Sequence, residues 1–474
     1  MSQKETKILL MSFVLTLLFL LGGGWLLWQF VNKENDNLSN NINKQTESEE
    51  IVTPDSPTIT SQHISTGQQW LINENINPNK QGGIIAFKNG NYLEAVTQLE
   101  AAIQQQPNDP EALIYLNNAR IGQGQAYTIA VVIPVGSDVN VAKEILRGVA
   151  QAQNEINNNG KINGLPLKVV IANDNNEPEL AVKIAEALAS QNEIIGVIGH
   201  FSSDVTIVAK PVYDSNNLVV ISPTSTSVAL SGASQYLFRT VPSDSFTGNA
   251  LVKYMLEDLV LTKAAIFYVS TSDYSNSLRN VVTTALFSSG GEVVFEFDFA
   301  ETDFNPFEVV RQAQNRGAQA LIFVSNSPNL DKALQIIQIN EGRLAILGGD
   351  SMYNPRTLQL GRQNAVGMVI AIPWHIDSNR NSDFAQDSTR LWQGDVNWRT
   401  AMTYDATQAL IGAIATNPTR TGVQQALSNP NFSTIGAGKD IRFLPSGDRN
   451  LAVQLVIIER APNTELGYRF FPLE

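Results

Sequence analysis

From Tyr127 onward, short apolar runs alternate with stretches of helical periodicity, and this alternation limits the possible folds most strongly. Runs of this kind are typical of strands buried on both faces, and strand–helix alternation predicts doubly wound parallel α/β sheets. The pattern occurs in two similar sets, which predicts two lobes with a cleft between them. The predicted strands are 128–135, 167–174, 194–200 and 218–222, then 264–269, 292–299, 320–325, 345–350 and 367–374. The predicted helices are 142–157, 177–190, 204–215, 245–258, 276–289, 306–316 and 329–340.

Composition excludes several classes of function. The 474 residues carry a net charge of -13 without a basic stripe, which argues against nucleic-acid binding. Cysteine is absent, so thiol catalysis, cysteine metal clusters, disulfides and lipoprotein acylation are excluded. His63, His200 and His375 lack metal-ligand spacing, and Ser203 has no obvious His/Asp partnership. The sequence therefore predicts neither an enzyme nor a metal or cofactor site.

The N-terminal residues predict a membrane anchor over 1–31. Residues 8–30 are uncharged and long enough to cross a bilayer as a helix, with Trp25 and Trp28 near the far end. Lys4 and Lys7 precede this segment, so the following domains are expected outside the cytoplasm. A cleaved signal peptide is the alternative, but no small-residue cleavage site follows. The predicted location is the bacterial inner membrane, single-pass, with the C-terminal domains periplasmic.

A polar segment and a helical segment are predicted to separate the anchor from the α/β region. Residues 32–69 are rich in Asn, Ser, Thr, Gln and Glu, which predicts a flexible linker. Residues 70–125 resemble a tetratricopeptide repeat followed by the first helix of a second repeat. The small, large and proline positions of that family match Gly83, Ala95, Leu99, Ala102 and Pro107. A partner-binding module and a short helical spacer packed on the next domain remain equally plausible interpretations.

Two long motifs give the α/β region a family resemblance. They are "VIGHFSSDVTIVAKPVYDSNNLVVISPTSTSVAL" and "YLFRTVPSDSFTGNAL", supported by "SDYSNS", "GGD", "TYDATQAL" and "DIRFLPSGDRN". In order and spacing they resemble the type I periplasmic binding proteins, in particular the leucine/isoleucine/valine-binding proteins of ABC transporters. The resemblance implies a two-lobed domain over 126–474 with ligand bound between the lobes. Lobe 1 is expected over about 126–241 and 374–444 and lobe 2 over about 242–373 and 445–474, with three crossovers near 240–242, 372–374 and 444–447.

Hydroxyl side chains follow two neighbouring predicted strands. Ser202 and Ser203 lie at the start of a helix, whose free N–H groups and dipole favour an anion; a plain helix cap is the alternative, and the second hydroxyl cluster favours the ligand role. Thr224, Ser225 and Thr226 follow the next strand, where a capped turn is the alternative. Hydroxyls can donate to a carboxylate or accept from an ammonium group. The resemblance implies that Ser203 binds an amino-acid carboxylate, while Thr224 offers its carbonyl and Thr226 its hydroxyl and N–H.

The resemblance places three further site residues on the opposing lobe. Tyr274 would close over the ligand, Asp350 would pair with the ligand ammonium group, and Ser327 falls near an expected aromatic residue. For Tyr274 an ordinary loop position is the alternative, and for Asp350 a helix cap. Asp350 stands where glutamate is common and Thr224 where alanine is common, so the pocket is expected to be more polar than a leucine pocket.

Two functions fit this sequence. The first is a membrane-anchored solute-binding protein that captures an amino acid or similar zwitterion for an ABC permease or a signalling partner. The alternative is a non-transport envelope regulator, similar to activators of peptidoglycan synthases, that uses the same fold for protein–protein contacts. Those activators are lipoproteins, whereas this chain has no cysteine to acylate.

Overall fold

A computed structural model describes residues 62–74 and 77–473. The predicted anchor over 1–31 and most of the predicted linker over 32–69 lie outside the described residues. Within the described ranges, no helix combines the length and the apolar character that crossing a bilayer requires. The predicted α/β architecture with two separate sheets is confirmed.

The first lobe contains a sheet with the strand order β1-β3-β2-β4-β5-β6 in the described part of the chain. Its strands are β1 (Ile64–Ser65), β2 (Tyr127–Ile133), β3 (Leu167–Asn173), β4 (Ile194–Ile198), β5 (Val220–Ser222) and β6 (Leu237–Arg239). Strands β2 to β6 run parallel, and β1 pairs with the edge of β3 in the antiparallel direction. The helices of this lobe are α4 (Val139–Asn158), α5 (Pro178–Ala189), α6 (Ser203–Ser215), α12 (Asp383–Trp392), α13 (Trp398–Thr416) and α14 (Arg420–Leu427).

The second lobe contains a sheet with the order β13-β12-β11-β10-β9-β7-β8 among the described residues. Its strands are β7 (Lys263–Tyr268), β8 (Glu292–Asp298), β9 (Ala320–Phe323), β10 (Ala345–Gly348), β11 (Val369–Ile372), β12 (Gln454–Arg460) and β13 (Tyr468–Pro472). Strands β7 to β11 run parallel, whereas β12 and β13 continue the sheet in the antiparallel direction. The helices are α7 (Asp244–Lys253), α8 (Asp273–Ser288), α9 (Pro306–Asn315), α10 (Leu330–Asn340) and α11 (Pro355–Gly361).

Local sequence signals explain where several helices begin. Asp138 precedes α4, and its carboxylate accepts hydrogen bonds from two main-chain N–H groups of the first turn. Asn305 has the same role before α9, where Pro306 occupies the first helical position. The sheet cores are formed by strands such as β2 and β9, which are buried over nearly their whole length. The loops at the carboxyl ends of the parallel strands face the space between the lobes.

Three helices precede the first parallel strand, namely α1 (Pro78–Lys88), α2 (Tyr92–Gln105) and α3 (Pro110–Ile121). Gly83 allows helices α1 and α2 to approach closely, because it has no side chain; a Cβ atom at this position would collide with Leu99. Helix α3 is buried over most of its length and packs against α4 of the first lobe. Lys80 lies 2.8 Å from both Asp109 and Glu111, which ties α1 to the start of α3. The tetratricopeptide identity of this segment stays a prediction.

The end of the predicted linker belongs to the first sheet, which corrects the prediction for 32–69. Strand β1 pairs with β3 through Ile64 and Ser65. Asn118 of α3 donates to the carbonyl of Thr66 at 2.8 Å and to the carbonyl of Val169 in β3 at 2.7 Å. These buried hydrogen bonds fix the backbone of a polar segment whose composition alone favours a flexible chain.

The chain passes between the lobes three times within residues 126–473. The first crossover lies between β6 and α7, and the second follows β11, because α12 and α13 pack on α4 of lobe 1. The third crossover lies further along the chain than the predicted residues 444–447. Arg239 of β6 donates its main-chain N–H to Gly447, and Asp448 forms a bridge with the same strand. The third crossover therefore falls between Asp448 and Gln454.

Candidate ligand-binding site

A cavity of about 70 Å³ lies between the two lobes, at the carboxyl ends of their parallel strands. This is where doubly wound sheets usually bind ligands. The lobe 1 wall comes from loops after β3, β4 and β5 and from the start of α13. The lobe 2 wall comes from loops after β7, β9 and β10. The lining residues are Asn176, Phe201, Ser202, Ser203, Asp204, Thr224, Ser272, Tyr274, Asn326, Ser327, Pro328, Asp350, Ser351, Trp398 and Arg399.

The turn between β4 and α6 positions the first hydroxyl pair. Gly199 has φ of 136°, a conformation that side-chain-bearing residues rarely adopt, and it turns the chain at the end of β4. Ser202 occupies the cap position of α6, where its oxygen lies 3.5 Å from the N–H of Val205. Ser203 is buried, and its hydroxyl oxygen accepts from the N–H of Ser227 at 3.2 Å. The hydroxyl hydrogen of Ser203 remains available as a donor toward the cavity.

His200 supports this turn from behind. Its Nδ1 lies 2.6 Å from a carboxylate oxygen of Asp174, and its Nε2 lies 2.9 Å from the hydroxyl of Tyr213. The ring is fully buried and is not among the residues that line the cavity. With both ring nitrogens engaged, His200 holds the turn in place.

The second hydroxyl cluster is divided between the cavity wall and its support. Thr224 lines the cavity, and its hydroxyl donates to the carbonyl of Phe201 at 2.7 Å. Ser225 and Thr226 are buried but are not among the lining residues. The hydroxyl of Ser225 lies 2.8 Å from that of Thr206, whereas the hydroxyl of Thr226 makes no hydrogen bond of normal geometry among the described residues and lies near the carboxyl group of Asp244. Ser225 therefore stabilises the turn, and Thr226 places a second buried hydroxyl beside it.

The side chain of Arg239 binds main-chain carbonyls of the second hydroxyl cluster. Its guanidinium donates to the carbonyls of Ser225 and Ser227 at 3.2 and 2.8 Å, and to Asp448. The first and third crossovers therefore meet directly behind the hydroxyl cluster.

Tyr274 and Asp350 form the facing wall from lobe 2. The Tyr274 hydroxyl donates to a carboxylate oxygen of Asp350 at 2.8 Å. Burial raises the pKa of Asp350 above its usual value, while the positive charge of Arg399 and the bond from Tyr274 oppose this shift. Burial and the charge of Asp350 raise the pKa of Tyr274 well above its usual value, so its hydroxyl stays a donor. Ser327 lines the cavity nearby, at the turn after β9.

Asp244 is a candidate site residue that the sequence reasoning did not identify. It begins α7 just after the first crossover, and its N–H donates to the carbonyl of Thr226 at 2.8 Å. The side chain is buried, and neither carboxylate oxygen has a hydrogen bond of normal geometry within the described structure. Burial raises the pKa of Asp244 to about 7, against a smaller opposing effect of the Ser277 and Thr226 hydroxyls. A carboxylate left in this state is suited to pair with a cation.

Asp204, Trp398 and Arg399 were also not predicted. Asp204 lies in the first turn of α6 and accepts from the N–H of Asp273 at 2.8 Å, across the cleft. Trp398 and Arg399 begin α13, directly after the second crossover, and both line the cavity. One signal was available in the sequence: Arg399 and Asp405 are the two charged residues of an otherwise uncharged helix.

Six of the eight predicted residues line one cavity: Ser202, Ser203, Thr224, Tyr274, Ser327 and Asp350. Hydroxyl groups and a helix start lie on one side, and a carboxylate with a tyrosine lies on the other. No Leu, Ile, Val, Ala or Met side chain is among the described lining residues. The arrangement can therefore hold a small polar ligand with separate positive and negative groups.

Known proteins resemble this chain in sequence. It is 33% identical over 192 residues to an amino acid binding protein of Pseudomonas aeruginosa, covering 40% of this chain and half of that protein. It is 26% identical over 275 residues to the leucine-specific-binding protein of Salmonella typhimurium, covering 56% of this chain and 72% of that protein. The chain thus spans only half the length of the first of these relatives.

Solved structures share the fold. A Desulfitobacterium hafniense ABC transporter substrate-binding protein in complex with Leu has a TM-score of 0.62 at 23% identity. A branched-chain amino acid transporter substrate-binding protein of Streptococcus pneumoniae in complex with isoleucine has a TM-score of 0.63 at 18% identity. The similarity covers 73% and 74% of this chain, respectively, and all of each structure. The model of the family described as periplasmic binding protein matches residues 126–459, well over half of the sequence. This chain belongs to the periplasmic binding protein family.

Proposed function

We propose that this protein is an extracytoplasmic solute-binding protein that holds an amino acid or similar small zwitterion between its lobes. The observation that carries the proposal is the inter-lobe cavity bounded by Ser203 at the start of α6 and by Asp350 with Tyr274 on the facing lobe. The hydroxyl and N–H groups on the lobe 1 side suit a ligand carboxylate. The buried carboxylate on the lobe 2 side suits a ligand ammonium group.

The head group is assigned as follows. The ligand carboxylate binds at the start of α6 and accepts the hydroxyl hydrogen of Ser203. The ammonium group pairs with Asp350, whose pKa is raised by burial and would be lowered by a neighbouring cation. Thr226 and Asp244 stand outside the lining residues and supply further buried oxygens, whose side chains make no hydrogen bond of normal geometry in the described part of the chain. Thr224 contributes its carbonyl, while Ser202 and Ser225 stabilise the two turns.

The names of related proteins support an amino-acid ligand, as with the amino acid binding protein of Pseudomonas aeruginosa. A leucine side chain is not proposed for this chain. Phe201, Pro328 and Trp398 are the apolar side chains of the lining, but a leucine side chain would leave the buried charge of Arg399 beside them without a partner.

Transport and location follow from the same proposal. Ligand would stabilise the closed form, which an ABC-type permease or a signalling partner would recognise. The anchor over 1–31 would hold the protein at the periplasmic face of the inner membrane. The helices over 78–121 would act as a spacer packed on lobe 1 or as a tetratricopeptide-like contact for a partner. The regulator alternative is not favoured, because protein–protein contact does not require an inter-lobe cavity lined by hydroxyl and carboxyl groups.

A thermal-shift screen of the purified full-length chain against the common amino acids and small amides tests this function. At a hundredfold excess of ligand over Kd, binding stabilises the folded form by about 2.7 kcal/mol. A clear rise of the melting temperature with at least one amino acid is expected. If none of them changes the melting temperature, solute binding of this class is wrong and the regulator is favoured.

A further inference from the structure

Arg399 is a buried cation without a carboxylate partner. The residue is 3% exposed. Its guanidinium donates to the carbonyl of Tyr353 at 3.2 Å and reaches that of Asp350 only at 3.5 Å, while its Nε has no acceptor. Among the described residues, no carboxylate oxygen lies within 4.0 Å of the guanidinium nitrogens. Burial lowers the pKa of Arg399, whereas nearby Asp350, Asp138 and Glu144 act in the opposite direction.

The other buried Lys and Arg residues of the described structure are paired. Lys80 lies 2.8 Å from Glu111, Arg239 lies 2.5 Å from Asp448, and Arg449 contacts Asp405. Asp350, Asp138 and Glu144 act on Arg399 without direct contact, and a buried charge without a contacting counter-ion is costly, so this contrast favours an anion brought by the ligand.

The position of Arg399 agrees with this need. Arg399 and Trp398 both line the inter-lobe cavity, and the guanidinium carbon lies 4.3 Å from the centre of the Trp398 ring. The ring N–H of Trp398 is also buried without an acceptor. Two neighbouring residues of one wall thus have N–H donors without acceptors, and stacking on the indole fixes the guanidinium plane.

We propose that the ligand carries a second anionic group, a side-chain carboxylate that Arg399 binds, so that the ligand is an acidic amino acid. This inference rests on the proposed function, in which Ser203 takes the α-carboxylate and Asp350 takes the ammonium group. Asp350 then pairs with the ligand, and Arg399 receives its counter-ion from the ligand side chain. A guanidinium suits this role because its fork matches both oxygens of a carboxylate.

Calorimetric titration of the full-length chain with L-glutamate, L-aspartate, L-glutamine, L-asparagine, L-leucine and glutarate tests the inference. Hydrogen bonds to charged groups contribute about 1.5–3 kcal/mol. One acid is therefore expected to bind at least about tenfold more tightly than its amide.

Arg399→Gln is expected to remove this preference while it retains binding of the amide. Arg399→Lys keeps the charge and is expected to retain part of the preference. Arg420→Gln is the matched control, because Arg420 also donates to main-chain carbonyls but contacts Ile194, at the opposite end of β4. The preference should not change in this control, and amide binding by Arg399→Gln shows that the variant is folded.

The outcomes separate the two proposals. If an amide or leucine binds the unmodified chain as tightly as the acids, or if Arg399→Gln keeps the acid preference, this inference is wrong and the proposed function stands. If glutarate binds through Arg399 and no amino acid binds, the anion site is supported and the amino-acid head group is wrong. If none of these compounds binds, this inference is wrong, and the thermal-shift screen against all the common amino acids decides the proposed function separately.

Discussion

Asp204 of lobe 1 accepts a hydrogen bond from the main-chain N–H of Asp273 in lobe 2, over a distance of 2.8 Å. The second oxygen of the same carboxylate lies 3.3 Å from the hydroxyl of Ser272, the cap residue of α8. Ser272 makes no capping bond with its own side chain. Helix α8 thus receives its cap from the opposite lobe, and this couples closure of the cleft to the stability of a helix start.

Removing this inter-lobe cap is expected to weaken ligand binding. A helix cap contributes about 0.5–2 kcal/mol, so Asp204→Ala should raise Kd by roughly 2- to 30-fold. Calorimetry measures Kd, and small-angle scattering should show a more open form without ligand. Asp273→Asn is the control, because it keeps the main-chain N–H and removes a like charge near Asp204. Unchanged affinity and shape in Asp204→Ala would mean that this contact has no part in closure.

Ligand affinity is expected to depend on pH through Asp244. Its pKa of about 7 means that the buried carboxyl is largely protonated at pH 6 and largely ionised at pH 8. Because the ionised carboxylate attracts the ligand ammonium group that Asp350 holds more strongly than the neutral carboxyl does, affinity should rise by up to about tenfold from pH 6 to pH 8. Titration calorimetry at several pH values measures the change, and Asp244→Asn should flatten the profile. An equally steep profile in Asp244→Asn would assign the effect to another group.

The raised pKa of Asp244 also predicts how the stability of the folded protein changes with pH. The folded form holds the proton more tightly than the unfolded chain, whose carboxyl has a pKa near 3.8. This contribution to stability is fully present below about pH 4 and is lost as the pH rises through about 7. The free energy of unfolding, measured with urea, should therefore fall from pH 6 to pH 8 in the unmodified chain. In Asp244→Asn this fall should be smaller. An identical difference in both proteins would contradict this assignment.

Thr224 and Ser203 are expected to differ in function. The Thr224 hydroxyl donates to the carbonyl of Phe201, so Thr224→Val should lower the free energy of unfolding by about 1 kcal/mol and barely change affinity. Ser203→Ala should weaken ligand binding by about tenfold, because it removes a donor to a charged group. Urea unfolding and calorimetry on both variants make the comparison. A loss of affinity in Thr224→Val as large as in Ser203→Ala would show that the Thr224 side chain contacts the ligand.

The buried ion pair between Arg239 and Asp448 is expected to stabilise the crossover region. Arg239→Met leaves a buried carboxylate unpaired, which should cost about 3–5 kcal/mol. The double variant Arg239→Met with Asp448→Leu removes both charges and should recover part of this loss. Urea unfolding of the two variants measures the difference. A cost below about 1 kcal/mol for Arg239→Met would mean that solvent reaches this pair.

The central strands of both sheets could be predicted because burial on both faces leaves an uninterrupted apolar run, as in β2 and β9. Strand β12 was missed because it lies near an edge and alternates buried with partly exposed residues, ending in charged ones. Strands β1 and β6 are two and three residues long, and each forms only because a neighbouring strand pairs with it.

The candidate site likewise contains residues that the sequence predicts and residues that it does not. Ser203, Thr224 and Asp350 directly follow strands, so the sequence places them at the cleft once a doubly wound sheet is assumed. Arg399, which lines the cavity, and Asp244, which bonds to the main chain of Thr226, instead follow crossovers, so their positions depend on how the lobes meet. That relation arises from tertiary packing and leaves no local pattern in the sequence.

Calorimetric titration of the full-length chain and of Asp350→Asn, with the amino acid that stabilises the chain most, tests the central claim most directly. The unmodified chain should bind one ligand per molecule. Asp350→Asn should bind at least about tenfold more weakly, because a hydrogen bond between charged groups is lost. Burial raises the pKa of Asp350, so the ligand-free variant should unfold at no lower temperature than the unmodified chain. Equal affinities in the two proteins would contradict the claim that Asp350 holds the ammonium group of an amino acid between the lobes.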